Sequence, residues 1–379
     1  MPGHTPRAPA LPRSTGSWTV TADTPVVFQW EYAQQDEHTL RLYAQGKERQ
    51  WNAATDLDWT HRMDPANPLG LPDGFVPVSG TPLWERLPEA ERAVLRRHTQ
   101  AWSYSQALHG EQFTLMGLSR ILAATEDMDS KLFAATQLMD EARHVEAFNR
   151  LLTEQIGIRY PVCDALRGIF DDALSVSHPD FYCIAGLMLE YMALVMLTTQ
   201  RTYLTDPLGR AFTTNVARDE ARHVAFGRSL LRERIHGLTG TELREREDFA
   251  LECCRVIHDG LSFDDVWATL GHGPETARAA HRSLPEAARR SHTFRQIIPA
   301  LQDVALFGPR TRAGLEAMGL LRYARHRLPS GVDTDEAERR RRREDIAAMT
   351  RLATAPESTP GVSAPASDRP SPLTESDGS

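Results

Sequence analysis

Apolar residues recur at helical spacing through most of the chain, and no stretch alternates apolar with polar as a half-buried strand would. The pattern predicts a first helix from Phe28 to about Glu48, anchored by Leu40, Leu42 and Tyr43. A Pro/Gly-rich passage follows, HRMDPANPLGLPDGFVPVSGTP, and reads as a long ordered loop pinned by Trp51 and Trp59. Pro88 opens a long helix to about Thr125; Asp127 or Asp129 caps the next, about 130–156, which ends at Gly157. A shorter helix is expected at about 162–176, then long ones at about 180–204 and 207–236. Further helices are expected at about 241–270, 275–302 and 309–327. The fold class is all-α.

One run stands apart. Phe181–Leu197 is apolar throughout except for Glu190. It approaches membrane-span length, but the central carboxylate and the lack of basic flanks favour a core helix. An ionised carboxylate buried there without a partner is very costly, so Glu190 needs a reason. At the ends, residues 1–24 and 355–379 are Pro-, Ser- and Thr-rich and read as disordered. Residues 331–354 read as a polar helix whose Arg339–Arg343 run is a solvated, ion-paired face. That leaves 25–330 as one helical domain.

Composition narrows the class. The net charge of −8 argues against a general nucleic-acid binder. Cys163, Cys183, Cys253 and Cys254 show no CxxC spacing and suit a reducing compartment. The first residues lack the apolar stretch of a signal peptide, so a cytoplasmic protein without a membrane partner is expected.

The candidate chemistry lies in a repeat. Asp140-Glu141-Ala142-Arg143-His144 recurs as Asp219-Glu220-Ala221-Arg222-His223. Each copy holds Glu-x-x-His, which sets a carboxylate and an imidazole on one face of a helix, about a turn apart. Two such pairs, with one Glu from each of two further helices, make a carboxylate-bridged di-metal site inside a four-helix bundle. The two further glutamates are present. Glu111 stands thirty residues before Glu141, and Glu190 thirty before Glu220, both in apolar helical runs. A single ExxH arises by chance in many helices; two of them with two matching glutamates is a strong signal. Oxygen and nitrogen donors without thiolate suit iron or manganese rather than structural zinc. Asp140 and Asp219 stand four residues before His144 and His223 and can accept their remaining N–H groups, either along the helix or across to its pair. Arg143 and Arg222 then neutralise those aspartates from i+3.

At these residues, over about 90–236, the sequence resembles the ferritin-like di-iron carboxylate superfamily. Its D-E-x-R-H form is most like the bacterial di-iron monooxygenase hydroxylases and the soluble acyl-carrier-protein desaturases. The resemblance implies Glu111, Glu141, His144, Glu190, Glu220 and His223 as six ligands to two iron ions, with Mn/Fe as the other pairing, and O₂ as co-substrate. Three positions depart from members of the superfamily. Phe148 replaces the radical Tyr of ribonucleotide reductase small subunits, so that radical is not expected. Leu194 stands where the hydroxylases carry a Thr. Val216 stands where arylamine N-oxygenases carry an extra His, so a seventh ligand of that type is absent.

One turn from the ligands lie Leu108, Leu115, Gln137, Gly186, Leu187, Ala193 and Leu194, the candidate lining of a substrate pocket. Tyr104 and Tyr191 are near enough to hydrogen-bond there. The expectation is an O₂-activating oxygenase or oxidase that hydroxylates, desaturates or N-oxidises a small organic substrate. No flavin, NAD or Fe–S motif is present, so electrons come from an external donor or reductase, or from the substrate; a homodimer is compatible with the sequence. The alternative is a ferritin- or rubrerythrin-like ferroxidase, for which the chain is more than twice as long as needed and lacks rubredoxin cysteines.

Overall fold

The computed structural model describes residues 26–28, 32 and 36–328. The first helix begins later than Phe28. Asp36 accepts the His38 N–H at 2.9 Å and caps it, so α1 spans Glu37–Glu48. The loop from 49 to 81 is ordered, with a single 3₁₀ turn at Asp73–Phe75, and leads into the short α2, Pro82–Arg86. Trp51 and Trp59 are both buried and pin this strap. Gly70 fixes its far end: its φ is +61°, and a Cβ there would sit 2.0 Å from Thr205 Oγ1.

Four long helices form the centre. They are α3 (Glu89–Ala124), α4 (Met128–Arg150), and, after the shorter α5 (Asp164–Ser175), α6 (Asp180–Tyr203) and α7 (Pro207–His236). Asp127 caps α4 through the Ser130 N–H at 2.6 Å. At its other end α4 gives way to a π-helical turn, Leu151–Ile156, closed by Gly157 at φ +74°. Asp206 caps α7 with Pro207 in the first helical position. The main packed pairs are α3 with α4 and α6 with α7, and the two hairpins meet through α3 with α6 and α4 with α7. Because α5 carries the chain across before α6 begins, this is a bundle with one long crossover, the ferritin-like arrangement. The apolar α6 is long enough to cross a membrane, yet α3, α5, α7, α8 and α11 pack against it, as a core helix requires.

Beyond the bundle lie α8 (Gly240–Asp259), α9 (Asp264–Thr269), α10 (Pro274–His281), α11 (Leu284–Asp303) and α12 (Pro309–Ala317), then a 3₁₀ turn, Leu321–Arg325. Three of the expected helices are therefore broken, the last of them, 309–327, at the turn after Ala317 where Gly319 takes φ +67°. The first breaks at Gly260–Phe263, where Phe263 turns left-handed at φ +59°. The second breaks at Ser283, which caps α11 through the Glu286 N–H. Among the described residues there is no strand. The expected tails, 1–24 and 355–379, and the polar helix 331–354 lie outside the described residues.

Candidate metal centre

The bundle brings the two ExxH pairs and the two further glutamates together. Glu111 comes from α3, Glu141 and His144 from α4, Glu190 from α6, Glu220 and His223 from α7; none is more than 7% exposed. They form two overlapping clusters, Glu111/Glu141/His144/Glu220 and Glu141/Glu190/His223, in each of which the donor atoms lie within 4.8 Å of one another. Glu141 and Glu220 straddle both halves. Glu141 sets one oxygen 3.6 Å from His144 Nδ1 and the other 3.2 Å from His223 Nδ1. Glu220 does the same at 3.3 and 3.4 Å. Glu111 approaches His144 alone, at 3.3 Å, and Glu190 approaches His223 alone, at 3.6 Å. Gln137 ties the halves together, donating to Glu141 at 3.0 Å and to Glu190 at 3.2 Å.

The histidines are oriented crosswise. His144 Nε2 lies 3.3 Å from Asp219, and His223 Nε2 lies 3.3 Å from Asp140. The within-helix pairing of Asp140 with His144 and of Asp219 with His223 is not formed. With Nδ1 turned to the carboxylates, each Nε2 points across the α4–α7 contact, where the other repeat's aspartate stands. Arg143 and Arg222 bind their own i−3 aspartates as expected, and each also reaches the other's, at 3.1 and 3.0 Å. The strap completes the network. Gln50 donates to Asp140 at 3.1 Å and Trp51 Nε1 donates to Asp219 at 2.7 Å, with the indole stacked over His144. The sequence predicts only an anchoring role for Trp51 and none for Gln50; neither has a local signal, because both act across more than 80 residues of chain.

The donor set fits a pair of cations. Glu141 Oε2, both Glu220 oxygens and His223 Nδ1 are buried without a hydrogen-bond partner, a costly arrangement unless a positive charge sits between them. Burial, and then the Glu220 charge, pushes the Glu111 and Glu190 carboxyls well above their usual range. Both nearby guanidinium groups are taken up by the aspartates. Asp219 is held low against its burial by hydrogen bonds from His144 and Trp51 and by the Arg222 charge.

A cavity of about 1050 Å³ opens onto Glu111, Glu190 and Glu220. Its apolar wall includes Phe75, Trp102, Met192 and Met196, and the elbow between α10 and α11 closes one side with Arg282, Glu286 and Arg295. Of the residues expected to line a pocket, Ala193 faces this cavity. Gln137, Gly186 and Leu187 line a separate compartment of about 40 Å³. Leu108, Leu115 and Leu194 line neither: Leu108 is core, and the other two are half-buried. The sequence reading placed the pocket one turn from every ligand, whereas it opens along one side, where α3 and α6 face the elbow. Tyr104 is buried in core, its hydroxyl donating to Gln200 at 2.8 Å.

The sequence model of the p-aminobenzoate N-oxygenase AurF family matches residues 33–304. The chain belongs to the AurF family. As an AurF-family protein it is an O₂-activating oxidoreductase with a di-metal cofactor and a small organic substrate. No curated protein matches the sequence. Among solved structures, two variants of an R2-like ligand-binding oxidase with an anaerobically reconstituted Mn/Fe cofactor are similar. One is 17% identical with TM-score 0.43, covering 70% of this chain and 92% of that one. The other is 16% identical with TM-score 0.43, covering 71% and 93%. Val216 is fully buried one turn before Glu220 and offers no donor to the centre.

Proposed function

We propose that this chain is a di-metal N-oxygenase of small arylamines, with Glu111, Glu141, His144, Glu190, Glu220 and His223 as the metal ligands. The observation that carries the reading is the pair of overlapping donor clusters at the floor of the 1050 Å³ cavity. Glu141 and Glu220, each of which sets an oxygen toward both imidazoles, would serve both ions, and Glu111 and Glu190, each beside one imidazole, would serve one ion apiece. Asp219 and Asp140 hold the Nε2 protons of His144 and His223, which turns each Nδ1 lone pair toward the centre. When bound, the two metal ions would pass the donor's electrons to O₂.

The aromatic and thioether wall of the cavity suits a planar ring, and Arg282 and Arg295 suit an acidic substituent of the kind p-aminobenzoate carries. Insertion at nitrogen takes one oxygen atom into the hydroxylamine and releases the other as water, with two electrons and two protons from an external donor. We assign that donor to a separate reductase and the chain to the cytoplasm, where its four buried free cysteines stay reduced. The test is to supply the Fe(II)-reconstituted protein with p-aminobenzoate, O₂ and a chemical reductant, and to follow the products by mass spectrometry. N-oxygenated products are expected; hydroxylation on carbon alone would overturn the N-oxygenase reading.

A further inference from the structure

Two compartments reach the carboxylate centre, and their sizes assign them different guests. The large one, about 1050 Å³, holds an organic molecule with room to spare. The small one, about 40 Å³, holds no aromatic ring, though it exceeds the space one water needs. They lie end to end between α3 and α6. The large cavity meets α3 from Trp102 to Thr114 and α6 from Tyr203 back to Leu189 and Glu190; the small one continues from Phe113 to Ile121 and from Glu190 back to Tyr182. Thr114 and Glu190 belong to both walls, and the small compartment also reaches His223.

Away from that end the wall is mainly apolar, with Phe113, Leu118, Ile121, Leu187, Phe226 and Leu230. An apolar wall of this kind favours xenon and similar apolar guests over water. Glycines on three helices leave the room. A Cβ at Gly117 would come within 3.2 Å of the Tyr182 ring and one at Gly227 within 3.4 Å of Leu187, while one at Gly186 would meet nothing within 4 Å. Tyr182 adds a buried hydroxyl with no hydrogen-bond partner, compatible with a small guest.

We propose that this compartment is the dioxygen site of the chain, so that the gas reaches the Glu190–His223 end from one side while the organic substrate occupies the cavity on the other. The inference rests on the di-metal oxygenase reading. On this arrangement a bound arylamine does not block the gas, because the two compartments reach the centre from opposite directions along α3 and α6.

Crystals of the full-length protein under xenon pressure give a readout that needs no turnover. Xenon is expected in this compartment of the wild type and is expected to be lost in Gly186→Leu, whose side chain has space to enter. Gly186→Leu should keep two metals per chain and bind p-aminobenzoate within twofold of the wild type. Its reduced form should consume O₂ at least tenfold more slowly at low O₂. Ala193→Leu, in the large cavity, should weaken p-aminobenzoate binding and leave the xenon in place. Ordered water filling the compartment without xenon, or an unchanged O₂ rate in Gly186→Leu once xenon is lost, would overturn the assignment. Two metals per wild-type chain with no xenon overturns this inference alone; fewer than two metals overturns the di-metal reading and this inference with it.

Discussion

Glu190 shows how much one side chain can demand of a fold. A lone carboxylate inside an apolar run requires a compensating charge, and the bundle supplies the setting by placing it against His223, Gln137, Glu141 and Glu220. Glu190→Ala should therefore lose about one of two metals per chain and keep its helical circular dichroism; loss of helix instead would make Glu190 a folding residue. The crossed pairing of His144 with Asp219 was open in the sequence, because it depends on how α4 faces α7 and not on spacing along either helix. His98 carries a separate expectation. Burial lowers its pKa to about 4, with Nδ1 against the Tyr160 hydroxyl at 2.7 Å. Its folded value lies below the unfolded one, so the stability it supports is complete above about pH 6.5 and declines as pH falls toward 4. Urea unfolding at pH 7 and pH 5 should show the wild type losing up to about 2 kcal/mol more than His98→Gln, which does not titrate. Equal losses would contradict this.

At the scale of elements, the strap before the bundle does more than cover it. Trp51 donates to Asp219 and stacks on His144, so two effects can be separated. Trp51→Phe keeps a ring and removes the N–H; metal affinity should fall, by less than the roughly 10- to 100-fold typical of losing an orienting carboxylate such as Asp219. Trp51→Ala should also destabilise the fold by about 3–5 kcal/mol. Chelator competition and denaturant melts distinguish the two; unchanged affinity in both variants would reduce the strap to packing. The long helices were legible from period and caps, because Asp127, Gly157 and Asp206-Pro207 act locally. The break at Ser283 was legible too, as Ser-Leu-Pro-Glu opens a helix, but the apolar periodicity across it masked the signal. That break matters, since it builds the elbow that walls the large cavity. The strap's reach to Asp140 and Asp219 had no signature in sequence, being a contact between distant segments.

The whole molecule is a duplicated helix pair folded so that each half completes the other. The duplication was readable because it repeats letters as well as spacing; the substrate cavity was not, because helices outside the repeat decide where it opens. Metals that bind only the native bundle stabilise it by mass action, by about 2.7 kcal/mol at a hundredfold excess over Kd. Chelation should therefore lower the thermal midpoint of the wild type and shift a Glu141→Ala/Glu220→Ala double variant much less; equal shifts would place the stabilising ions elsewhere. The most direct measurement is metal content after anaerobic reconstitution of the full chain with Fe(II) and removal of excess. Two irons per chain is the expected result, unchanged when more Fe(II) and O₂ are supplied. One iron or none, or continued loading of many irons per chain, would contradict the account.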